Sequence, residues 1–556
     1  MHLWHYPPVK RAPLIAVLAL LAVAVALPMT GGQLGLGGDP SASPSGAALA
    51  PTGGPATSGP ASPSASDGGA ASPAPTVAPT DPPVDLVEAA IVPVVHFRST
   101  ATRATRAEVV AILEGTSERY AALELVEADA DGILAALGDS VPADPQGIVL
   151  VADAATVAED LAEHRDRLAF VRAEQVTPAV RALQWGDRQL FGVERITDLA
   201  EWRLRASVPA GAGDEPPFDA GATWTMFAGG DILLDRGVHQ TLVVNGAGPD
   251  FPFDGGTAQI TSRYCCSSFG WELPRTRRTG NEGAMRRLIE GADLAIANFE
   301  NPAPDQARWH TSGTVFHAEE DLIDGLVEAG IDYVSLANNH IGDAGNAGVL
   351  QTIDNLDERG LAHSGAGEDL DAARKPAMLE ANGVTVAVLG YDAIARAYFA
   401  ADGEPGSAQL SKGISRNDIK WAREAGADIV VVFPHWGVEY QAEPFAAQQQ
   451  LAHDIIDAGA DMIIGNHAHW AAAMEVYEGK PIWYGLGNFV FDQTWSEPTM
   501  EGITLELTFE GTQLVQVRMR PHIILDKAQP NLLDPARDGR VVMNQVYNAS
   551  EGLLPY

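Results

Sequence analysis

Cysteine is almost missing: the 556 residues hold two, adjacent at Cys265 and Cys266. That scarcity excludes a disulfide framework and a cysteine-rich zinc site, and leaves a vicinal disulfide or two free thiols open for the pair. Basic residues are scarce as well, with 36 Lys and Arg against 73 Asp and Glu, a formal charge of −37. The excess is spread along the chain, so its field repels nucleic acid and anionic polymers unless a local cation intervenes. Nucleic-acid binding is excluded on that ground. Long apolar runs are missing with one exception, residues 14–27 behind Lys10 and Arg11, which have the pattern of a signal peptide or short signal anchor spanning 1–30. The run is short of the ~20 residues that a comfortable spanning helix uses, so cleavage and retention both stay open. No cysteine follows it to carry a lipid. The remainder is expected outside the cytoplasm, anchored to the membrane or secreted at a bacterial cell surface.

Large aliphatic and aromatic residues are nearly missing from 31–83, a Pro, Ser, Ala and Gly tract that cannot bury enough apolar surface to fold. It is expected to be a disordered, extended linker. Folded texture starts at 84. AAIVPVVHFRS reads as a buried strand, RATRAEVVAILEG as a helix closed by Gly115, and GIVLVAD as a further strand. A small α/β module over 84–207 follows from that alternation. TRAEVVAILEG and LAFVRAEQVTPAVRALQWGD resemble part of a phosphate-type periplasmic solute-binding domain, which would nominate a small anion. The module is short for the two lobes of such receptors, and a spacer or docking part is the competing reading. Residues 208–222 form a second Gly- and Pro-rich joint.

From 223 onward, WTMFAGGD, ADLAIANFE, DYVSLANNH, ADIVVVFPHW, ADMIIGNHAH and PIWYGLGN are short apolar runs that end in polar residues. Helical segments such as FAAQQQLAHDIIDAGA lie between them, so the region reads as β-α units whose polar ends converge on one cleft. ITLELTFEGTQLVQVRMRP alternates around a Glu-Gly turn and predicts an antiparallel hairpin. The polar endings are Asp231, Glu300, Asn339 with His340, His435, and His467 with His469. Singly, each is explained by a cap, a turn or a structural imidazole. Together they are the carboxylate, amide and imidazole set that Mn, Fe or Zn prefer. His467 and His469 alternate sides on an extended chain, so serving one site requires a bend, which Gly465 would permit.

GGDILLDR, ANFENP, SLANNHIGDAG, PHWGVEY, DAGADMIIGNHAHW and YGLGNFVFD resemble, in order and spacing, the poly-gamma-glutamate capsule biosynthesis (CapA) family over about 223–492. The resemblance implies a metallophosphoesterase-like layered α/β domain, placed here at 223–530 with a tail at 531–556, and a role in capsule or poly-gamma-glutamate synthesis. In calcineurin-like phosphoesterases, which the family's strand ends resemble, two metals clamp a phosphate. Carried over, Glu300, Asn339, His435 and His467 would hold one firm metal. Asp231, Glu300 and His469 would hold a weaker second, because Leu233 stands where that pattern has a histidine. His340 and Asp231 are the catalytic candidates, and Asp343 could support His340 or cap a helix. Trp436, Trp470 and Arg277 are candidate substrate contacts, Arg277 belonging to a cationic loop with Arg263, Arg275 and Arg278. His310 and His317 flank a segment that could cover the cleft. Two functions follow: a metal-dependent hydrolase or transferase acting on an anionic envelope polymer or phosphoester, or a polymer-binding scaffold with a degenerate cleft. Partners on either reading are that polymer, the membrane through the N-terminal segment, and capsule-synthesis proteins.

Overall fold

A computed structural model describes residues 85–210 and 216–554. The signal or anchor segment and the 31–83 linker lie outside the described residues. Among the described residues no helix is long and apolar enough to cross a membrane.

Strands of the N-terminal module are β1 (Leu86–His96), β2 (Ala122–Val126), β3 (Ile148–Val151), β4 (Arg167–Arg172), β5 (Val180–Ala182) and β6 (Arg205–Pro209). They form one sheet in the order β3-β2-β4-β1-β5, with β6 also on β1. The first helix, Arg106–Leu113, begins at a Thr105–Glu108 capping box and ends just before Gly115, whose φ of 69° closes it.

The C-terminal region is built on two sheets. The first contains β7 (Thr223–Ile232), β8 (Thr257–Tyr264), β9 (Leu273–Gly280), β10 (Leu294–Phe299), β11 (Tyr333–Ser335) and β12 (Ala362–Ser364). The second contains β13 (Ala377–Ala381), β14 (Val384–Asp392), β15 (Ile429–His435), β16 (Met462–Ile464), β17 (Met474–Tyr477) and β18 (Lys480–Trp483). The chain then returns to the first sheet with β19 (Asn488–Val490), β20 (Glu501–Glu510), β21 (Gln513–Leu525) and β22 (Gln529–Leu533). Orders are β9-β8-β22-β21-β20-β7-β10-β11-β12, with β19 also on β7, and β13-β14-β15-β16-β18-β17.

Alternation along these strands creates the layers, because successive side chains point to opposite faces. Trp224, Met226 and Ala228 of β7 meet Val386, Val388, Val431 and Phe433 of the second sheet in a core between the sheets. Phe227, Ala295 and Ala297 face outward onto Met285, Ile289 and Leu326 of the covering helices. Leu389, Val430 and Val432 face the opposite way onto Ile419, Ala422 and Ile455. The result is helices, sheet, sheet, helices. β7, β10, β11 and β12 run parallel, as do β14, β15, β16 and β18, so the carboxyl ends of each set share one edge.

Two glycines let this edge close. A Cβ on Gly229 would come within 2.9 Å of the Phe489 ring, and one on Gly230 would sit 1.9 Å from the Gly487 carbonyl oxygen. β19 can therefore lie against β7 only while position 230 lacks a side chain. Gly230→Ala is expected to cost on the order of 3 kcal/mol or more in denaturant unfolding. A loss inside experimental error would contradict this packing.

The module docks on β20 and β21. Gln516 accepts from the Ala182 amide at 2.7 Å and donates to the Val180 carbonyl at 3.1 Å. Buried Glu506 accepts from the Val193 amide at 3.0 Å and from Arg520 Nε at 2.8 Å. Burial alone would raise the Glu506 carboxyl, but Arg520 and Arg518 outweigh it and hold the group at about 2 against an ordinary 4.5. A depressed folded value means the stabilisation is complete above the unfolded value and lost as pH falls toward about 2. Glu506→Gln is thus expected to lower the unfolding midpoint at neutral pH, with the gap to wild type narrowing below pH 4.5. A gap that does not change with pH would refute it.

Two regions differ from expectation. YCCSSFGWELPRTRRTG is the tip and second strand of a β-hairpin rather than a loop throughout, with β8 and β9 antiparallel and Cys265 and Cys266 joined to each other near the tip. Residues 531–556 contain the end of β22 and a helix, Arg540–Ala549, whose Val542, Met543 and Val546 enter the core between the sheets.

Candidate functional site

Asp231 is the penultimate residue of β7 and Glu300 immediately follows β10; both are fully buried. His435 ends β15, and His467 and His469 follow β16. The register between β7 and β10 puts Asn298 opposite Asp231, and its amide donates to Asp231 Oδ1 at 2.7 Å. His435 Nε2 stands 2.7 Å from Asn339 Oδ1, 3.1 Å from His467 Nδ1 and 3.6 Å from Glu300 Oε1. On the other side, His469 Nε2 is 3.8 Å from Glu300 Oε1, and its Nδ1 is 3.6 Å from Asp231 Oδ2. Two groups result, Glu300 with His435 and His467, and Asp231 with Glu300 and His469, each with ligand atoms within 4.8 Å of one another. Glu300 belongs to both.

The chain bends between the two imidazoles at the histidines themselves. His467 has φ of 88° and His469 φ of 55°, conformations that a side chain with a Cβ rarely adopts. Gly465, expected to supply the bend, has another use. A Cβ there would stand 2.4 Å from Trp436 Nε1 and 2.5 Å from the Tyr484 carbonyl oxygen.

Burial decides the electrostatics. Desolvation, and then the nearby Asp231 charge, push the Glu300 carboxyl well above its ordinary range. Both of its oxygens are buried with no hydrogen-bond partner. Desolvation, then His467, drives His435 well below an ordinary imidazole, and desolvation with His469 takes His467 to about 3. The His435 and His467 imidazoles are therefore neutral, with lone pairs available. Neutral nitrogen donors, an amide oxygen and a doubly orphaned carboxylate are what a divalent cation would satisfy, so these residues fit a metal site.

His340 borders the pair. Its Nδ1 is 2.9 Å from Asp343 Oδ2, and its Nε2 is 3.0 Å from the Asn339 amide. Asp343 also accepts from the Phe316 amide at 2.9 Å and from Tyr398 OH at 3.1 Å. It thus fixes the ring rather than capping the following helix. A cleft of about 350 Å³ opens beside His340 and His469, walled by Arg236, Phe316, Tyr440 and Trp495. Arg236 pairs with Asp492, its guanidinium 4.7 Å above the Phe316 ring.

Sequence reasoning passed over Asp235. Its buried carboxylate accepts from the His310 amide at 2.9 Å and the His317 amide at 2.8 Å, and lies 2.6 Å from His310 Nδ1. It thereby pins the segment whose residues 311–314 line the cleft. Asn298 was also missed, as was Asn488, whose Oδ1 is 2.9 Å from His469 Nδ1. A polar residue within an otherwise apolar strand was the only available signal. Leu233 is fully buried with Phe316, Phe491 and Ile524, so an apolar plug occupies the place of the missing histidine.

The substrate candidates fare differently. Trp436 is 2% exposed, donates to the Tyr484 carbonyl at 3.1 Å and stacks on that ring, so it packs in the core and does not face the cleft. Trp470 is half-buried, edge-on to Trp271 of the hairpin at 6.1 Å. Arg277 is exposed on β9, donates to Gln259 at 2.9 Å, and is not among the cleft residues. Of its cationic neighbours, Arg263 pairs with Glu497 and Arg278 with Asp526.

A layered α/β protein with a buried carboxylate and imidazole cluster at its strand ends is the class defined so far. The profile of the bacterial capsule synthesis protein PGA_cap family matches residues 225–493. A capsule biosynthesis protein CapA from Bacillus anthracis is 31% identical over 340 residues, 59% of this chain and 74% of the relative. A PGA biosynthesis protein CapA from Bacillus subtilis is 37% identical over 213 residues, 38% of this chain and 56% of the relative. The chain belongs to the CapA family of bacterial capsule synthesis proteins. Among solved structures, a calcineurin-like phosphoesterase from Bacillus subtilis aligns at 13% identity and a TM-score of 0.31, over 60% of this chain and 97% of that one.

Proposed function

We propose that this protein is a metal-dependent hydrolase or transferase that acts on an anionic envelope polymer or phosphoester during capsule or poly-gamma-glutamate assembly. The observation that carries the reading is Glu300, buried between two sets of donors with both carboxylate oxygens unpartnered. Glu300, Asn339, His435 and His467 would hold a Mn, Fe or Zn ion, and Asp231, Glu300 and His469 a weaker second. A bound ion of this kind polarises a phosphoryl or carbonyl oxygen and lowers the pKa of a bound water.

The chain's own residues supply the rest. Asp343 holds His340 through Nδ1, and the ring lines the cleft, a position from which it would exchange a proton with the reacting groups. Arg236 at the cleft wall is paired with Asp492, and Glu439 lines the same cleft, so the positive charge that draws an anionic substrate there would come from the bound cation. Membership of the CapA family supports action at the cell surface with other capsule-synthesis proteins, the N-terminal segment serving as the link to the membrane.

One observation favours a second reading: the Leu233 plug, which leaves the Asp231 side one imidazole short and suits a polymer-binding scaffold with a degenerate cleft. The test is turnover of a phosphodiester and of a short gamma-glutamyl peptide by the metal-loaded full chain. Chelator-sensitive hydrolysis or transfer supports the enzyme; saturable peptide binding with no turnover of either substrate supports the scaffold.

A further inference from the structure

The joint between the N-terminal module and the layered domain encloses a second polar cavity, about 300 Å³ in volume and separate from the cleft. Its lining includes Arg181 from β5, Arg518 and Arg520 from β21, and Arg287 at the exposed rim. The inner carboxylate is Glu506, shared by two of the arginines: Arg520 Nη2 lies 2.5 Å from it and Arg518 Nη1 3.5 Å. Arg287 is held by neutral groups, the Glu282 carbonyl at 3.0 Å and Asn281 Oδ1 at 2.6 Å. Arg181 has no ion pair among the described residues, and its buried Nε has no hydrogen-bond partner. Its strand cannot easily withdraw, because Gln516 clamps both neighbours, Val180 and Ala182. Four guanidiniums, with Arg287 at the rim, therefore face two carboxylates, the buried Glu506 and the exposed Glu194, so the cavity keeps a local excess of positive charge in a chain whose overall charge is −37.

Leaving cations unpaired away from water is costly, and the missing component is negative charge. Guanidinium forks match oxyanions better than halides, because each presents parallel N–H donors to two oxygens. Desolvation, outweighing Tyr547, lowers the Arg181 guanidinium to about 10, in keeping with a cation that lacks its counter-charge.

We infer that this cavity is an oxyanion site that ties the module to the layered domain, and that it takes a phosphate or carboxylate ligand of two or more negative charges. The site is independent of the metal cleft and of the reaction proposed there. Occupancy closes the charge balance across the joint and so stabilises the docked arrangement by mass action.

The test uses the full chain carrying His435→Ala and His467→Ala, so that phosphate cannot be read at the metal cleft. Inorganic phosphate and, in a separate arm, tricarballylate are titrated at constant ionic strength by calorimetry and thermal unfolding. Saturable binding in the micromolar to millimolar range is expected from at least one anion; the one that binds tells phosphate from carboxylate as the source. Arg181→Met should weaken it at least tenfold without lowering the anion-free midpoint, and the exposed Arg287→Gln should weaken it by a smaller factor and serves if Arg181→Met does not fold. Unchanged affinity in these variants, or no saturable binding of either anion, overturns the proposal.

Discussion

Glu300→Gln is expected to abolish metal retention and yet leave the metal-free chain more stable than the metal-free wild type at neutral pH. Glu300 lies in both donor groups, so its loss damages both positions at once. An affinity drop on the order of 100-fold or more is the expected size, at or above what supporting residues alone cost. In the absence of a cation the same carboxylate is a liability. It is fully buried, its oxygens have no partner, and the adjacent Asp231 repels its charge. Desolvation and Asp231 push the carboxyl well above its ordinary range, so at neutral pH folding must take up a proton there, a cost that the isosteric neutral amide removes. Calorimetry in chelator, beside elemental analysis without it, separates the effects. A variant that keeps its metal, or one that is less stable than wild type in chelator, would refute this account of the site.

His340→Ala is expected to lower turnover by about 100- to 10,000-fold, the span of a general acid or base, with the metal content unchanged. His340 borders the cleft and is absent from both donor groups. Asp343→Asn should produce a smaller loss and displace the pH–rate profile, since Asp343 acts on the substrate only through the ring it orients. Equal turnover in wild type and His340→Ala would remove the histidine from the reaction, and loss of metal would place it among the ligands instead.

What the sequence revealed about this site followed the strand period. A run of apolar residues ending abruptly in a polar one marks a strand's carboxyl end, and parallel pairing then forces such ends together. Asp231, Glu300, His435, His467 and His469 were readable on that basis. Asn298 was not, because its position opposite Asp231 depends on register with a strand 67 residues away in the chain. Trp436 was misplaced for a related reason. Neighbouring residues on an extended chain point to opposite sides, so a tryptophan directly after His435 turns away from the site and into the helix-facing core. The hairpin of β8 and β9 was obscured by its Gly, Ser and Arg content, which reads locally as loop; long-range pairing of β8 with β22 overrides that propensity. Nor could any single segment reveal the Arg181, Arg518 and Arg520 cavity, since the arginines come from two regions more than 300 residues apart and meet only when the module docks.

The most direct measurement is the metal content of the purified full chain by elemental analysis, beside that of the His435→Ala, His467→Ala double variant. Near-stoichiometric Mn, Fe or Zn in the wild type, lost from the variant, is the predicted result. No bound metal in the wild type and no affinity on titration would contradict the account and leave the polymer-binding scaffold as the reading of the cleft.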